Sequence, residues 1–289
     1  MMLPREHGAW AMLLIPYFLG TVASGWGGWS STLMLISIIA LFTSVRPLEI
    51  LLLGGNKPAT AAPLVADNVR DKRCHLRKTQ AILWLAIFWG IGGTSTIILL
   101  QAYQRWQLAP LGVIAGIALV AALSFRRRSR WDRSWPVRLL YIAALSLSGP
   151  AAYYAASGDF SRPAFAVWFL AFLYSGASLF YVRLLTRSAH QQPGKQAKRV
   201  TNAGVARQLG LYLALATLSL ATLTHFDWLP PLAGLAFIPL IVKLLWVPWR
   251  RNYRPTLKEI GIAEVGHAAI FTVLAAFALT NWVSGMGLG

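Results

Sequence analysis

Nine stretches of about 20 mostly apolar residues decide what this chain can fold into. They lie near 8–26, 32–54, 80–101, 108–125, 138–156, 163–185, 208–225, 228–249 and 264–286. Each is long enough to cross bilayer hydrocarbon as a helix, which satisfies its backbone N–H and C=O groups within the segment. Only 12% of residues are charged against 56% apolar, and the mean hydropathy is +0.54. A soluble domain carries about 25% charged residues, so this chain lacks the polar side chains to coat a globular surface. A soluble enzyme or binding module is excluded. The expected fold class is all-α, a polytopic membrane protein with nine transmembrane helices.

Charge sets the orientation. The chain holds 27 Lys+Arg against 9 Asp+Glu, a net +18. In a soluble protein such an excess points to nucleic acid. Here the basic residues sit in short clusters between apolar runs, in 55–79, 126–138, 186–207 and 250–259, so nucleic acid is not an expected partner. These are alternate connections. The intervening ones carry only Arg105 and Arg162, so 25 of the 27 basic residues lie on one side or in helix ends nearest it. Cytoplasmic loops carry that excess. The expected location is the cell (inner) membrane, with a cytoplasmic N-terminus and a periplasmic or extracellular C-terminus. The first span lacks a small-x-small cleavage site and is expected to be retained. The lone Cys74 excludes an internal disulfide framework and cysteine-based zinc or iron–sulfur sites.

The chain reads as one integral membrane domain over 1–289. A faint internal repeat is visible. Span two ends in Phe42-Thr43-Ser44-Val45-Arg46-Pro47-Leu48 and span six in Leu179-Phe180-Tyr181-Val182-Arg183-Leu184-Leu185, while spans four and eight both exit into Arg clusters. A four-helix duplication, about 8–125 and 138–249, followed by a ninth helix would produce this. An Arg at every cytoplasmic helix end would produce it too.

Ionisable residues where a chain enters hydrocarbon are functional candidates by default. Glu6 and His7 stand at the first entry, between Pro4, which suits a first helical turn, and Gly8, which permits close helix approach. A dipole-matched capped span explains Glu6 equally well. Arg46 and Glu49 share one face of span two, either as a snorkelling interfacial pair or as a cavity wall. Lys243 and Glu264 reach roughly 7–9 Å inward on consecutive antiparallel helices, at ~1.5 Å per residue. They are expected to meet, as a structural salt bridge or as part of a site. Glu264-Val265-Gly266-His267 has the Glu-x-x-His spacing found in carboxylate metal sites, so Glu264 and His267 are weak metal candidates. Asp67 and Asp71 are two more, and they share a face if their segment is helical; their neighbours Arg70, Lys72 and Arg73 favour a solvated ion-pair patch. No Gly-rich phosphate loop, His-Glu-x-x-His motif or nucleophile triad is present. No cofactor is implied. Most of the 13 Trp residues fall near span ends and read as interfacial belts.

Pro4-Arg5-Glu6-His7-Gly8-Ala9-Trp10-Ala11-Met12-Leu13 resembles the opening signature of the YwiC-like membrane proteins. Ser178-Leu179-Phe180-Tyr181-Val182-Arg183 and Lys258-Glu259-Ile260-Gly261-Ile262-Ala263-Glu264-Val265 are similar to later stretches of that family. The family is functionally uncharacterised, so the resemblance carries over no catalytic residues. The nine-span layout also resembles the UbiA superfamily of intramembrane prenyltransferases. Their Asp-rich motifs after helices two and six hold Mg²⁺ against a prenyl diphosphate. Here the segment after span two offers only Asp67 and Asp71, and 186–207 has no carboxylate. An intact two-site Mg²⁺–diphosphate mechanism is not expected; an enzyme of this layout would be a UbiA-like transferase with degenerate Asp-rich motifs.

The expected protein has a UbiA-like helical bundle with a cytoplasm-facing intramembrane cavity. Arg46, Glu49, Arg183 and Lys243 would bind an anionic head group, with the Arg residues matching phosphate or carboxylate geometry. Glu6, His7 and Glu264 would carry the chemistry, with Glu6 or Glu264 as a proton acceptor or weak metal ligand. The expected partners are the lipid bilayer and an isoprenoid or other amphipathic anionic lipid, which the protein binds or modifies. A transporter or permease for a small anion is the rival reading.

Overall fold

The computed structural model describes the backbone of residues 7–53, 67–127, 135–189, 199–242 and 257–287, and the side chains of 9–51, 78–121, 136–182, 207–242 and 259–287. Among the described residues all regular structure is helical. The elements are α1 (His7–Ala23), α2 (Trp29–Leu53), α3 (Asp67–Gln101), α4 (Leu108–Arg127), α5 (Trp135–Ser146), α6 (Ser148–Ser157), α7 (Arg162–Ala189), α8 (Arg199–His225), a 3-10 helix η1 (Pro231–Phe237) and α9 (Leu257–Gly285). From Ile238 the chain continues as α-helix to Val242, the end of that described stretch.

Among the described residues, five stretches are long and apolar enough to cross a membrane: Trp29–Leu51, Lys78–Gln101, Pro136–Ser157, Arg162–Val182 and Glu259–Gly285. Three shorter apolar helices, Ala9–Ala23, Leu108–Ala121 and Pro231–Val242, accompany them. Over its described side chains α8 falls in neither group. The chain is a multi-pass membrane protein. Its α3 has 35 residues, about 52 Å at 1.5 Å per residue, well beyond the ~30 Å hydrocarbon core. The polar turns Asp67–Arg77 therefore extend past the span that begins at Lys78. Asp67 and Asp71 do lie on a helix, four residues apart; their side chains are outside the described residues.

The described helices form two compact units, Gly28–Arg138 and Gly8–Gly27 with Leu139–Gly289. In lipid, burial of apolar surface does not draw helices together, so close packing and interhelical hydrogen bonds must. The first unit is built on the α2–α3 hairpin. Ser37 Oγ lies 2.7 Å from Thr96 Oγ1 and donates to the Gly92 carbonyl at 3.3 Å. That approach depends on Gly92, where a Cβ would come within 3.1 Å of the Ala40 Cβ.

The second unit is centred on α6 and α7. Residues 148–155 are buried on every side, and Ala164, Ala166, Val167, Leu170, Leu173, Tyr174 and Ala177 of α7 join Phe271, Ala275 and Leu279 of α9 and Leu229, Ala233 and Ala236 around η1 in one core. The α1–α6 crossing is a backbone contact. A Cβ on Gly20 would overlap the Gly149 carbonyl, and one on Gly149 would strike Val167 and lie 3.0 Å from the Pro16 carbonyl oxygen.

The span Pro136–Ser157 is interrupted near its middle, at Leu147. Pro150 causes this: it has no N–H for the Ser146 carbonyl and its ring crowds that turn. The Leu147 N–H turns instead to Ala144 O at 3.2 Å. Ala143 O, which an unbroken helix would pair with Leu147, accepts from Trp168 Nε1 of α7 at 3.1 Å. Ser148 Oγ donates across to Leu13 O of α1 at 2.7 Å. A neighbouring helix thus takes up a backbone carbonyl that the kink releases.

Candidate functional site

The seam between α7 and α9 carries polar groups in an antiparallel register. Three contacts define it in order of depth. Tyr181 packs on Ile260, the Ser178 hydroxyl donates to Glu264 Oε2, and the Tyr174 ring stacks on Phe271 with centroids 4.0 Å apart and planes 13° from parallel. Helical spacing explains the alignment. Tyr174, Ser178 and Tyr181 follow i, i+4, i+7 on one face of α7, and Glu264, His267 and Phe271 follow i, i+3, i+7 on one face of α9.

Glu264 and Ser178 both lie in stretches long and apolar enough to cross a membrane, Glu259–Gly285 and Arg162–Val182. A charged carboxylate near a bilayer centre costs on the order of 2.5–3.5 kcal/mol, less toward the interface. One hydroxyl donor offsets part of that cost. Glu264 is half-buried on a helix face whose flanks, Ile262 and Val265, are exposed to 63% and 67%.

Two further groups join the carboxylate. His267 Nδ1 lies 2.5 Å from the Ala263 carbonyl, which only accepts, so Nδ1 must hold a proton. In the neutral ring the lone pair is then on Nε2. The Tyr174 hydroxyl is buried with no hydrogen-bond partner among the described residues. A hydroxyl donor, a carboxylate and an imidazole lone pair within two turns of one seam can accept and pass a proton. Among the described residues Glu264 and His267 are not joined into a group of three His, Cys, Asp or Glu.

A second feature holds α8 against this seam. Tyr212 donates to the Leu173 carbonyl at 3.0 Å, and it reaches that backbone because Gly176 offers no Cβ in its path.

The expected site residues fall into distinct groups. Arg46 and Glu49 form an ion pair on α2, with Arg46 Nη1 2.6 Å from Glu49 Oε2. Glu264 and His267 share the α9 face just described. Lys243 and Glu6 lie outside the described residues, so the expected Lys243–Glu264 contact does too. His7 begins α1 and Arg183 lies on α7, their side chains likewise outside the described residues. Sequence reasoning missed Ser178 as the Glu264 partner and missed Tyr174 altogether. The signal was a polar stripe at helical spacing on an otherwise apolar span.

Residues 3–153 match the family described as YwiC-like protein. The chain is also similar to "Uncharacterized protein YwiC" of Bacillus subtilis (strain 168), at 25% identity over 280 residues, covering 97% of this chain and 99% of that relative. No solved structure matches. With more than half of its length under the family match, and a similar protein aligned almost end to end, the chain belongs to the YwiC-like protein family.

Proposed function

We propose that this protein binds or modifies an isoprenoid or other amphipathic anionic lipid from the cytoplasmic side of the cell membrane. The observation that carries the reading is the Ser178–Glu264 hydrogen bond, a polar pair inside an apolar helix seam with His267 one turn along and Tyr174 one turn deeper. In this reading Arg183 and Lys243 hold the anionic head group. Glu264 accepts a proton from the bound lipid. The apolar tail lies along exposed residues such as Ile262 and Val265. The arrangement that suits this work is a UbiA-like bundle of nine spans with the N-terminus in the cytoplasm and the C-terminus outside. The basic segments 55–79, 126–138, 186–207 and 250–259 support that orientation.

A photoreactive prenyl phosphate in vesicles tests the reading. Labelling should fall on peptides around Ser178 and Glu264 and be competed by unlabelled anionic lipid. Uniform labelling of lipid-facing helices would count against it.

The second reading, a permease for a small anion, draws on the interruption of the Pro136–Ser157 span at Leu147, since interrupted spans line many transport sites. The released Ala143 carbonyl is engaged by Trp168 within the protein, which favours the lipid reading. Accumulation of a small anion by protein-loaded vesicles would favour the permease.

A further inference from the structure

A cavity of about 560 Å³ opens where three apolar segments end: the start of α7 at Arg162, the start of η1 at Pro231 and the end of α9 at Gly285. Its polar lining is one cation, Arg162, one anion, Asp227, and the carboxamide of Asn281, with the Trp282 indole beside them. It lies at the end of α7 opposite to Ser178 and Tyr181, so a ligand here would not depend on the chemistry of the Ser178–Glu264 seam.

Both charges break local rules. Asp227 closes α8 with a left-handed φ of 57°, the place where Gly or Asn is usual. The turn is otherwise regular, with the Trp228 N–H on Leu223 O at 2.9 Å and the Asp227 N–H on Thr224 O at 3.2 Å. A carboxylate at a helix C-terminus also opposes the macrodipole, as does a guanidinium at the first residue of α7. Their sequence positions favour neither charge, yet both line this cavity. Among the described residues no ion pair joins them. The guanidinium is held another way, with its Cζ 5.7 Å from the centre of the Trp228 ring, which in turn meets Phe165 edge-on at 5.5 Å.

A separated cation and anion, an amide and an indole complement a molecule that carries both charges. The level in the membrane indicates which kind. Trp228 and Trp282 stand at span ends, where aromatic residues mark the head-group layer. From the cavity an apolar ridge leads away along the segment: Leu232, Leu235 and Ile238 are 41%, 44% and 48% exposed and three residues apart. In a 3-10 helix residues three apart line up, so Leu232 and Leu235 form a continuous strip. We infer that this cavity binds a zwitterionic aminophospholipid, its phosphate on Arg162 and Asn281, its ammonium on Asp227 against the Trp282 face, and an acyl chain on the Leu232–Leu235 strip.

The test uses the full-length protein in vesicles of equimolar phosphatidylethanolamine and phosphatidylglycerol, with the lipid retained after gentle extraction quantified by native mass spectrometry. Wild type should enrich phosphatidylethanolamine about tenfold over the bulk ratio, the worth of one charge-assisted contact. Arg162→Gln and Asp227→Asn should each bring the ratio back to bulk, while Arg105→Gln should not. Asp227→Asn separates binding from folding, because Asn suits a left-handed position. It should melt no lower than wild type and still lose the preference. Soluble phosphoethanolamine should leave the enrichment unchanged, since it cannot use the apolar strip. Displacement of the lipid by that compound would assign the site to a water-soluble ligand and overturn the inference. Equal retention of the two lipids by wild type, or a preference that survives both substitutions, would overturn it as well.

Discussion

Ser178 of α7 donates its hydroxyl proton to the Glu264 carboxylate of α9, a polar link between two spans that also meet through rings and small side chains. The pair fixes the register of the seam. It also places an ionisable group where lipid would otherwise leave it unsupported.

Ser178→Ala should therefore destabilise the protein by about 1.5–3 kcal/mol, the worth of a hydrogen bond to a charged group. Glu264→Gln keeps an acceptor and removes the charge, so it should melt at or above wild type while losing lipid modification or binding. In the double variant the Ser178→Ala loss should shrink, because a hydrogen bond to a neutral amide is worth less than one to a carboxylate. Thermal unfolding in detergent, read as a double-mutant cycle, checks both statements.

The α1–α6 crossing predicts a sharp contrast among glycines. Gly149→Ala should cost about 1–3 kcal/mol, since the methyl group meets Val167 and the Pro16 carbonyl with no room to relax. Gly112→Ala on α4, where nothing lies within 4 Å of a new Cβ, should be neutral or stabilise by up to about 1 kcal/mol. Equal melting temperatures for the two variants would remove the close crossing.

Trp168→Phe removes the donor to Ala143 O and should cost about 1–3 kcal/mol for a buried carbonyl left unpaired. Combined with Pro150→Ala, which lets the Pro136–Ser157 span straighten, the loss should be smaller, because Leu147 can then return to Ala143. Additive losses would show that the kink and the indole are unrelated.

Much of this architecture is legible in the residues. Runs such as 32–54, 80–101 and 108–125 coincide with α2, the spanning part of α3, and α4, because a bilayer demands length and apolarity and little else. The helical turns before Lys78 were not legible: Asp67–Arg77 has good helix formers but no apolar stripe, and it reads as a loop. The Leu147 interruption was hidden for a different reason. Ser-Gly-Pro inside an apolar run marks a kink, but which neighbour satisfies the released Ala143 carbonyl depends on tertiary placement of Trp168. Glu264 stood out as an intramembrane charge. Its partner Ser178 did not, since serine is common in spans and only the α7–α9 register brings the two together.

The orientation read from the basic segments has its own check. Reporters fused at Lys57, Ser129 and Gly194 should behave as cytoplasmic, and one at Gly289 as periplasmic or extracellular. A cytoplasmic Gly289 would remove the nine-span arrangement and the UbiA-like layout with it.

The lipid bound to the purified full-length protein, identified by mass spectrometry for wild type, Lys243→Met and Arg127→Met, tests the proposed function most directly. Wild type should carry an isoprenoid or other anionic amphipathic lipid enriched over the membrane it came from. Arg127→Met, which removes a charge from the basic cluster at the end of α4, should retain it, and Lys243→Met should lose at least about tenfold, as expected when a charged head group loses its cation. Bulk membrane lipid alone on the wild type, or equal retention by the two variants, would contradict lipid binding at this site.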